Sequence, residues 1–137
     1  MSDASMSKED YEHVFGVDEE GHDLSAFREE VKEMLDHYPN LGDFGWANRC
    51  IPEAQFNSDH KKLYGRIEEI KTAIQYLAFH PIPKGKSSYG LKHDIEYWTE
   101  AKGERQYISN GAAILGALIY GYTPKCEPNS PNCGFRR

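Results

Sequence analysis

The chain has 137 residues, of which 39% are hydrophobic and 12% aromatic, and its formal net charge is −6. A domain of this length buries roughly two thirds of its unfolded surface, so it can fold around a hydrophobic core without disulfides or bound metal ions. The composition excludes a wholly disordered chain. No apolar run approaches the roughly 18 residues of a membrane span. The acidic start of the chain lacks the features of a secretion signal. We therefore expect a cytoplasmic globular protein without membrane contact.

The charge is distributed unevenly along the chain. Residues 1–40 carry three Lys or Arg against twelve Asp or Glu, a net charge of −9, whereas residues 41–137 carry thirteen against ten, a net charge of +3. Residues 1–22 also lack a sustained apolar period, which predicts a mobile acidic arm ahead of a single domain at 23–137. Such an arm binds a partner, competes with an anionic ligand for the basic body, or keeps the protein soluble, and composition alone favours the last role.

Apolar periodicity predicts two helices in the first half of the domain. The first runs over 24–37, capped by Asp23 or Ser25 and stopped by Pro39. An ordered loop anchored by aromatic residues should follow over 40–57. The second helix extends from 59 to 80, because apolar residues repeat at helical spacing throughout that segment.

Two further helices follow in the second half. The third begins at Ser87 or Ser88 and stops at Gly103. The fourth, over 110–120, is apolar on all sides and rich in small residues, so it should be the buried centre of the fold. The predicted fold class is thus mostly α, a compact four-helix domain with a mobile acidic N-terminal arm and an irregular C-terminal tail.

The start of the third helix is the most informative part of the sequence. Lys92 and His93 place positive charge in a first turn whose dipole prefers negative charge, so helix stability does not explain them. We therefore predict that polar residues at the starts of the third and fourth helices form an exposed binding surface. Its predicted members are Lys84, Lys86, Tyr89, Lys92, His93, Glu96 and Asn110.

The same helix carries a candidate for chemistry. His93 and Glu96 are three residues apart, a spacing at which two side chains share a metal or a proton. A catalytic site needs a nucleophile or pocket beside them, and no such motif is evident. The alternative is that Lys92 pairs with Glu96 while His93 bonds a loop carbonyl. An enzyme is the minority hypothesis, and we assign no catalytic residue, cofactor or metal.

A nucleic-acid function is the second alternative. The fourth helix contains no Lys, Arg or Gln, so we do not expect it to read the major groove. Lys61, Lys62 and Arg66 of the second helix still allow sequence-indifferent contact with phosphates. An ordinary solvated helix face explains the same residues and is favoured by the modest basic excess.

The cysteines predict a reducing compartment. The chain has an odd number of cysteines and is long enough to fold without a disulfide. The three cysteines are Cys50, Cys126 and Cys133. The last two are wider apart than the cysteines of a typical zinc pair, which favours free thiols over a metal site. A structural disulfide is not expected, although whether Cys126 and Cys133 pair stays open.

The segments SSYGLKHDIE, YISNGAAI and SPNCGF resemble those of small uncharacterised proteins encoded in bacterial genomes, phages and plasmids, over about residues 82 to 135. The resemblance implies a mobile-element setting and no particular activity. We therefore expect a non-enzymatic binding protein that engages a host protein or nucleoprotein complex, as an inhibitor or accessory factor. The oligomeric state is open. The matching positions are Ser88, Tyr89, Leu91, Lys92, His93, Glu96, Tyr107, Ser109, Asn110, Gly111, Ser130, Pro131 and Asn132.

Overall fold

The computed structural model describes residues 25–47, 59–126 and 130–137. These residues form four α-helices, one 3-10 helix and two antiparallel hairpins. The prediction of a mostly helical protein is confirmed. The predicted acidic arm, 1–22, and most of the predicted loop over 40–57 lie outside the described residues.

Three of the helices have the bounds that the sequence predicts, within a residue or two. They are α1 (Ser25–His37), α3 (Ser88–Ala101) and α4 (Asn110–Tyr120). Serine caps explain two of the starts. Ser87 Oγ accepts the backbone N–H of the third residue of α3 at 3.2 Å, and Ser109 Oγ accepts the corresponding N–H of α4 at 3.0 Å.

The second predicted helix is divided in two. A 3-10 helix, His60–Gly65, precedes α2, Ile67–Phe79. Arg66 lies between them, with φ −108° and ψ 26°, and its guanidinium donates two hydrogen bonds to the Asp43 carboxylate, at 3.0 and 2.9 Å. The prediction of one continuous helix is therefore wrong here. The Arg66–Asp43 pair and the burial of the 3-10 helix favour the tighter 3-10 winding in this segment over a continuous α-helix.

Helix α4 is the centre of the described fold. Its residues from Asn110 to Leu118 are all buried, and it contacts α1, α2, α3 and both hairpins. Gly116 allows α2 to approach closely, since an added Cβ would lie 2.7 Å from the Cβ of Ala73. The predicted buried centre is confirmed.

The hairpins were not predicted. The first joins β1 (Leu41–Gly42) to β2 (Gly45–Trp46), and the second joins β3 (Thr123–Cys126) to β4 (Cys133–Arg136). The prediction of an irregular tail is therefore wrong for most of its described residues. The second hairpin is held on the body where the ring of Phe135 packs edge-on against that of Tyr122, with centroids 6.1 Å apart.

Candidate functional site

Asn110 ties three segments together at the start of α4. Its Nδ2 donates to Phe44 O at 3.0 Å, to Pro131 O at 3.3 Å and to Asn132 Oδ1 at 2.9 Å. The β1–β2 turn and the tail are thereby held over the beginning of the central helix. The Oδ1 of Asn110 is buried and accepts no hydrogen bond within the described part of the chain. A buried acceptor without a partner is costly for the fold.

Two buried glutamates hold the backbone that leads into α4. Glu96 Oε2 accepts the Ile108 N–H at 3.0 Å, and Glu69 Oε1 accepts the Ser109 N–H at 2.7 Å. Burial raises the pKa of Glu69, although the backbone hydrogen bond and the Arg66 guanidinium oppose the shift. For Glu96, burial also acts to raise the pKa, but the hydrogen bonds from the Ile108 N–H and the Lys92 ammonium outweigh it and leave the pKa lowered.

An open cleft of about 400 Å³ lies over this scaffold. The Lys92 ammonium is 4.9 Å from the ring centroid of Tyr107 and 6.0 Å from that of Tyr89, and Phe44 lies at the rim. All three rings are more than half exposed. We call this the aromatic cleft; it is lined by Asp43, Phe44, Asp59, Lys62, Tyr89, Lys92, Tyr107, Asn110, Pro131 and Asn132.

The cations at the aromatic cleft are paired with carboxylates. Lys62 lies 3.1 Å from Asp59, and Lys92 donates to Glu96 at 3.2 Å. Arg66, whose guanidinium lies over the Tyr107 ring at 5.6 Å, contacts two carboxylates. The cleft is therefore close to electrically neutral, and its exposed surface is mainly aromatic.

A second cleft of about 360 Å³ shares Asn132 with the aromatic cleft and is lined by the α2–α3 loop and the second hairpin. Lys86 and Lys125 line it, together with Ser87 and Ser130. We call it the basic cleft. Lys86 is paired with Asp94 at 2.9 Å, an interaction that raises the pKa of the lysine.

The structure divides the predicted binding surface between these two clefts and the interior. Lys84 is exposed beside the basic cleft, which Lys86 lines, and Tyr89 is exposed at the aromatic cleft. Lys92, Glu96 and Asn110 are 8%, 2% and 8% exposed, so the expectation that Lys92 projects into solvent is wrong. The attraction of the Glu96 carboxylate explains its burial, and the alternative of a Lys92–Glu96 pair is confirmed.

His93 stands beside the aromatic cleft. Its Nδ1 lies 3.1 Å from Glu96 Oε1, although the geometry is not that of a hydrogen bond. Its ring packs edge-on against Tyr89, with centroids 4.5 Å apart, and is stacked with Tyr97 at 6.4 Å. The expected bond to a loop carbonyl is therefore replaced by contacts within α3.

The remaining basic candidates differ in their surroundings. Lys61 is exposed, whereas Lys62 and Arg66 are held by carboxylates. Sequence reasoning missed Phe44 and Lys125 as cleft residues. The only available signal for Phe44 was an aromatic residue in a polar turn, which predicted anchoring in the core, a role that Trp46 fills instead.

The state of the cysteines differs from the prediction of free thiols. Cys126 forms a disulfide, with a partner outside the described residues, so the expectation of free thiols is wrong for this residue. Cys133 is a free, buried thiol, although it is the register partner of Cys126 in the hairpin. Burial raises the pKa of the Cys133 thiol to about 11, despite contacts with Trp46 and Ser88.

Within the described ranges, no group of three or more His, Cys, Asp and Glu side chains is arranged to hold a metal ion. No helix in that part of the chain has the length and apolar character needed to cross a membrane. No known protein family, curated protein or solved structure matches the chain.

Proposed function

We propose that the chain is a non-enzymatic binding protein that engages another protein, alone or in a nucleoprotein complex, through the aromatic cleft. The observation that carries the proposal is the exposure of Phe44, Tyr89 and Tyr107 around a cleft whose cations are already neutralised. Aromatic residues are enriched in protein interfaces, where they provide much of the binding energy. A neutral cleft offers little attraction to phosphate, which favours a protein partner over nucleic acid at this position.

The cleft also suggests what the partner presents. The aromatic rim favours an apolar side chain. A segment of a protein partner supplies such a side chain. Since Asn110 and the buried glutamates fix the surrounding backbone, little ordering should be needed on binding.

The enzymatic alternative gains no support from the geometry. Glu96 is buried and engaged by Lys92 and by the Ile108 N–H, and neither His93 nor Glu96 lines the aromatic or the basic cleft. A general acid or base must reach the proton that it transfers, and these two side chains face each other instead.

Two broader proposals accompany this one. The resemblance to phage and plasmid proteins suggests that the partner belongs to a host, and that the chain acts as an inhibitor or accessory factor. Residues 23–137 are proposed to form a single four-helix domain, to which residues 1–22 add an acidic arm. The central position of α4, in contact with the other three helices, supports the single domain.

The test uses peptides selected from a random display library on the full chain. A selected peptide, labelled with a fluorophore, is titrated by fluorescence polarisation against the wild type and against Phe44→Ala/Tyr89→Ala. We expect the double substitution to weaken binding at least about 30-fold, because two interface aromatics typically contribute about 1 kcal/mol or more each. Raising the salt concentration should change the affinity little, because the cleft is neutral.

The chain offers a matched control, Phe79→Ala/Tyr97→Ala. Phe79 is 76% exposed, as is Phe44, and Tyr97 is 56% exposed against 55% for Tyr89 on the same helix. The control should bind the peptide as the wild type does. If both double variants bind equally well, or both lose binding equally, the aromatic cleft is not the contact surface.

A further inference from the structure

The basic cleft and its surroundings concentrate positive charge on residues that do not line the aromatic cleft. In the hairpin, Lys125 pairs with Gly134 and Thr123 with Arg136, and partners across a strand pair share a face. Lys125 and Arg136 therefore lie on the same side of the hairpin, as diagonal neighbours. Both are exposed, and the absence of a side chain at Gly134 leaves the surface between them open.

The opposite wall of this cleft adds two more cations. Gly85 and Lys86 line it, and Lys84 is exposed at the turn closed by the hydrogen bond from the Lys86 N–H to Pro83 O, at 3.1 Å. Only Lys86 has a carboxylate partner among the described residues, namely Asp94. Two cations, Lys86 and Lys125, thus line the cleft, and Lys84 and Arg136 are exposed next to lining residues or on the same hairpin face. One carboxylate pairs with this group, in contrast with the balanced charges of the aromatic cleft.

We infer that the basic cleft binds the phosphodiester backbone of a nucleic acid, without reading its sequence. Three unpaired cations in or beside the cleft are complementary to the closely spaced charges of that backbone, and Ser87 and Ser130 offer hydroxyl donors to phosphate oxygens. The described lining has no exposed aromatic ring on which a base would stack, since Phe135 is half-buried. Backbone contact without base contact gives affinity but no sequence preference.

This inference moves the nucleic-acid contact away from the residues that the sequence suggested. Lys62 and Arg66 are held by carboxylates, so their charges are not available to phosphate at full strength. Lys84, Lys125 and Arg136 have no such partner in the described part of the chain. The inference does not depend on the proposed protein partner, because Asn132 is the one lining residue that the two clefts share among the described residues.

The test measures binding of a fluorescein-labelled DNA duplex of arbitrary sequence to the full chain as salt is raised. Three phosphate contacts predict binding that is about 40-fold weaker at about 200 mM than at about 50 mM salt. The variant Lys125→Gln/Arg136→Gln retains one of the three unpaired cations, so its affinity should change only about 3-fold over the same interval. A duplex of unrelated sequence and a single-stranded RNA should also bind.

Lys102→Gln/Arg105→Gln is the matched control, because it also removes one lysine and one arginine, from exposed positions that do not line the cleft. It should keep the salt dependence of the wild type, and far-UV circular dichroism should show both variants folded. The inference is overturned if the duplex does not bind at about 50 mM salt, or if the control weakens binding as much as the cleft variant. Binding of polyglutamate in preference to the duplex would also overturn it, and would indicate an acidic protein partner.

Discussion

Replacing Glu96 with Gln should destabilise the fold more than any other single change of charge at the site. The carboxylate is almost fully buried, and it accepts hydrogen bonds from Lys92 Nζ at 3.2 Å and from the Ile108 N–H at 3.0 Å. The amide of Gln can still accept the backbone hydrogen bond. It cannot neutralise Lys92, which would remain buried without a counter-charge.

The magnitude follows from that uncompensated lysine. Breaking a buried ion pair by removing one partner costs about 3–5 kcal/mol. We expect about 3 kcal/mol at neutral pH, the lower end, because the variant keeps the Ile108 hydrogen bond. Arg105, 3.4 Å from Glu96, adds little because its side chain is 44% exposed. For a chain of this length, such a loss lowers the thermal midpoint by about 10 °C.

The effect should depend on pH in a defined direction. The pKa of Glu96 is lowered in the folded state, so the folded protein binds fewer protons here than the unfolded chain does. Its stabilising contribution is present above the ordinary glutamate pKa of about 4.3 and is lost as the pH falls through the lowered value. The difference between wild type and variant should therefore be largest near neutral pH and should shrink in acid.

Urea unfolding followed by circular dichroism, at about pH 7 and about pH 3, measures both quantities. Glu100→Gln is the control, because Glu100 lies one turn later on α3, its side chain is 57% exposed, and it contacts Arg105 at 3.7 Å. It should change the free energy of unfolding by less than about 0.5 kcal/mol. A cost below about 1 kcal/mol for Glu96→Gln at neutral pH, or one that does not shrink in acid, would refute the reasoning.

Three further predictions concern the scaffold. Gly111→Ala should cost about 3 kcal/mol or more in urea unfolding, because the added Cβ meets the backbone oxygen of Gly42, whereas Gly65→Ala, with open space around it, should be tolerated. Iodoacetamide should alkylate Cys133 at about pH 8 in the unfolded chain but not in the native protein, because burial raises the pKa of the thiol to about 11; rapid native labelling would contradict this. Burial lowers the pKa of His60, so stability should fall as the pH drops below about 6.5, and His60→Gln should flatten that dependence between about pH 7 and pH 5.5.

The helices were predictable because their signals are local. Ser87 and Ser109 cap α3 and α4 as their residue types suggest, and the unbroken apolar composition of the fourth helix predicts its central position. The break at Arg66 was not predictable in the same way. It depends on Asp43, a residue 23 positions earlier, and a local periodicity contains no information about that contact.

The hairpins were missed for a related reason. Strands of two residues, such as Leu41–Gly42, are too short to show an alternating pattern. The β3–β4 strands contain Pro124 and two cysteines within turn-rich sequence, which is typical of a loop. The second hairpin is also tied to the helical body through a long-range contact, the hydrogen bond from the Cys133 N–H to Ser88 Oγ at 3.1 Å, which a local pattern does not contain.

The basic residues near the start of α3 have a structural explanation, which the sequence offered as the alternative to a binding surface. Since α3 begins at Ser88, Lys92 and His93 are its fifth and sixth residues, so the expectation that they lie in the first turn is wrong. Lys92 and His93 both face Glu96, and Glu96 in turn holds the backbone before α4 through the Ile108 N–H. The Lys92 ammonium, which the sequence predicted to serve recognition, therefore stabilises a buried carboxylate. From that segment, the binding hypothesis keeps Tyr89 and the two lysines that precede α3, Lys84 and Lys86.

This division separates the residues that hold the site from those that would contact a partner. Glu96 and Asn110 fix the backbone beneath the aromatic cleft, so their replacement should lower stability and binding together. Phe44 and Tyr89 are exposed and bury little surface within the chain, so their replacement should leave the free energy of unfolding within about 1 kcal/mol of the wild type. Exposed rings on a preorganised backbone are useful for recognition, because a partner gains their burial without having to order the site that carries them.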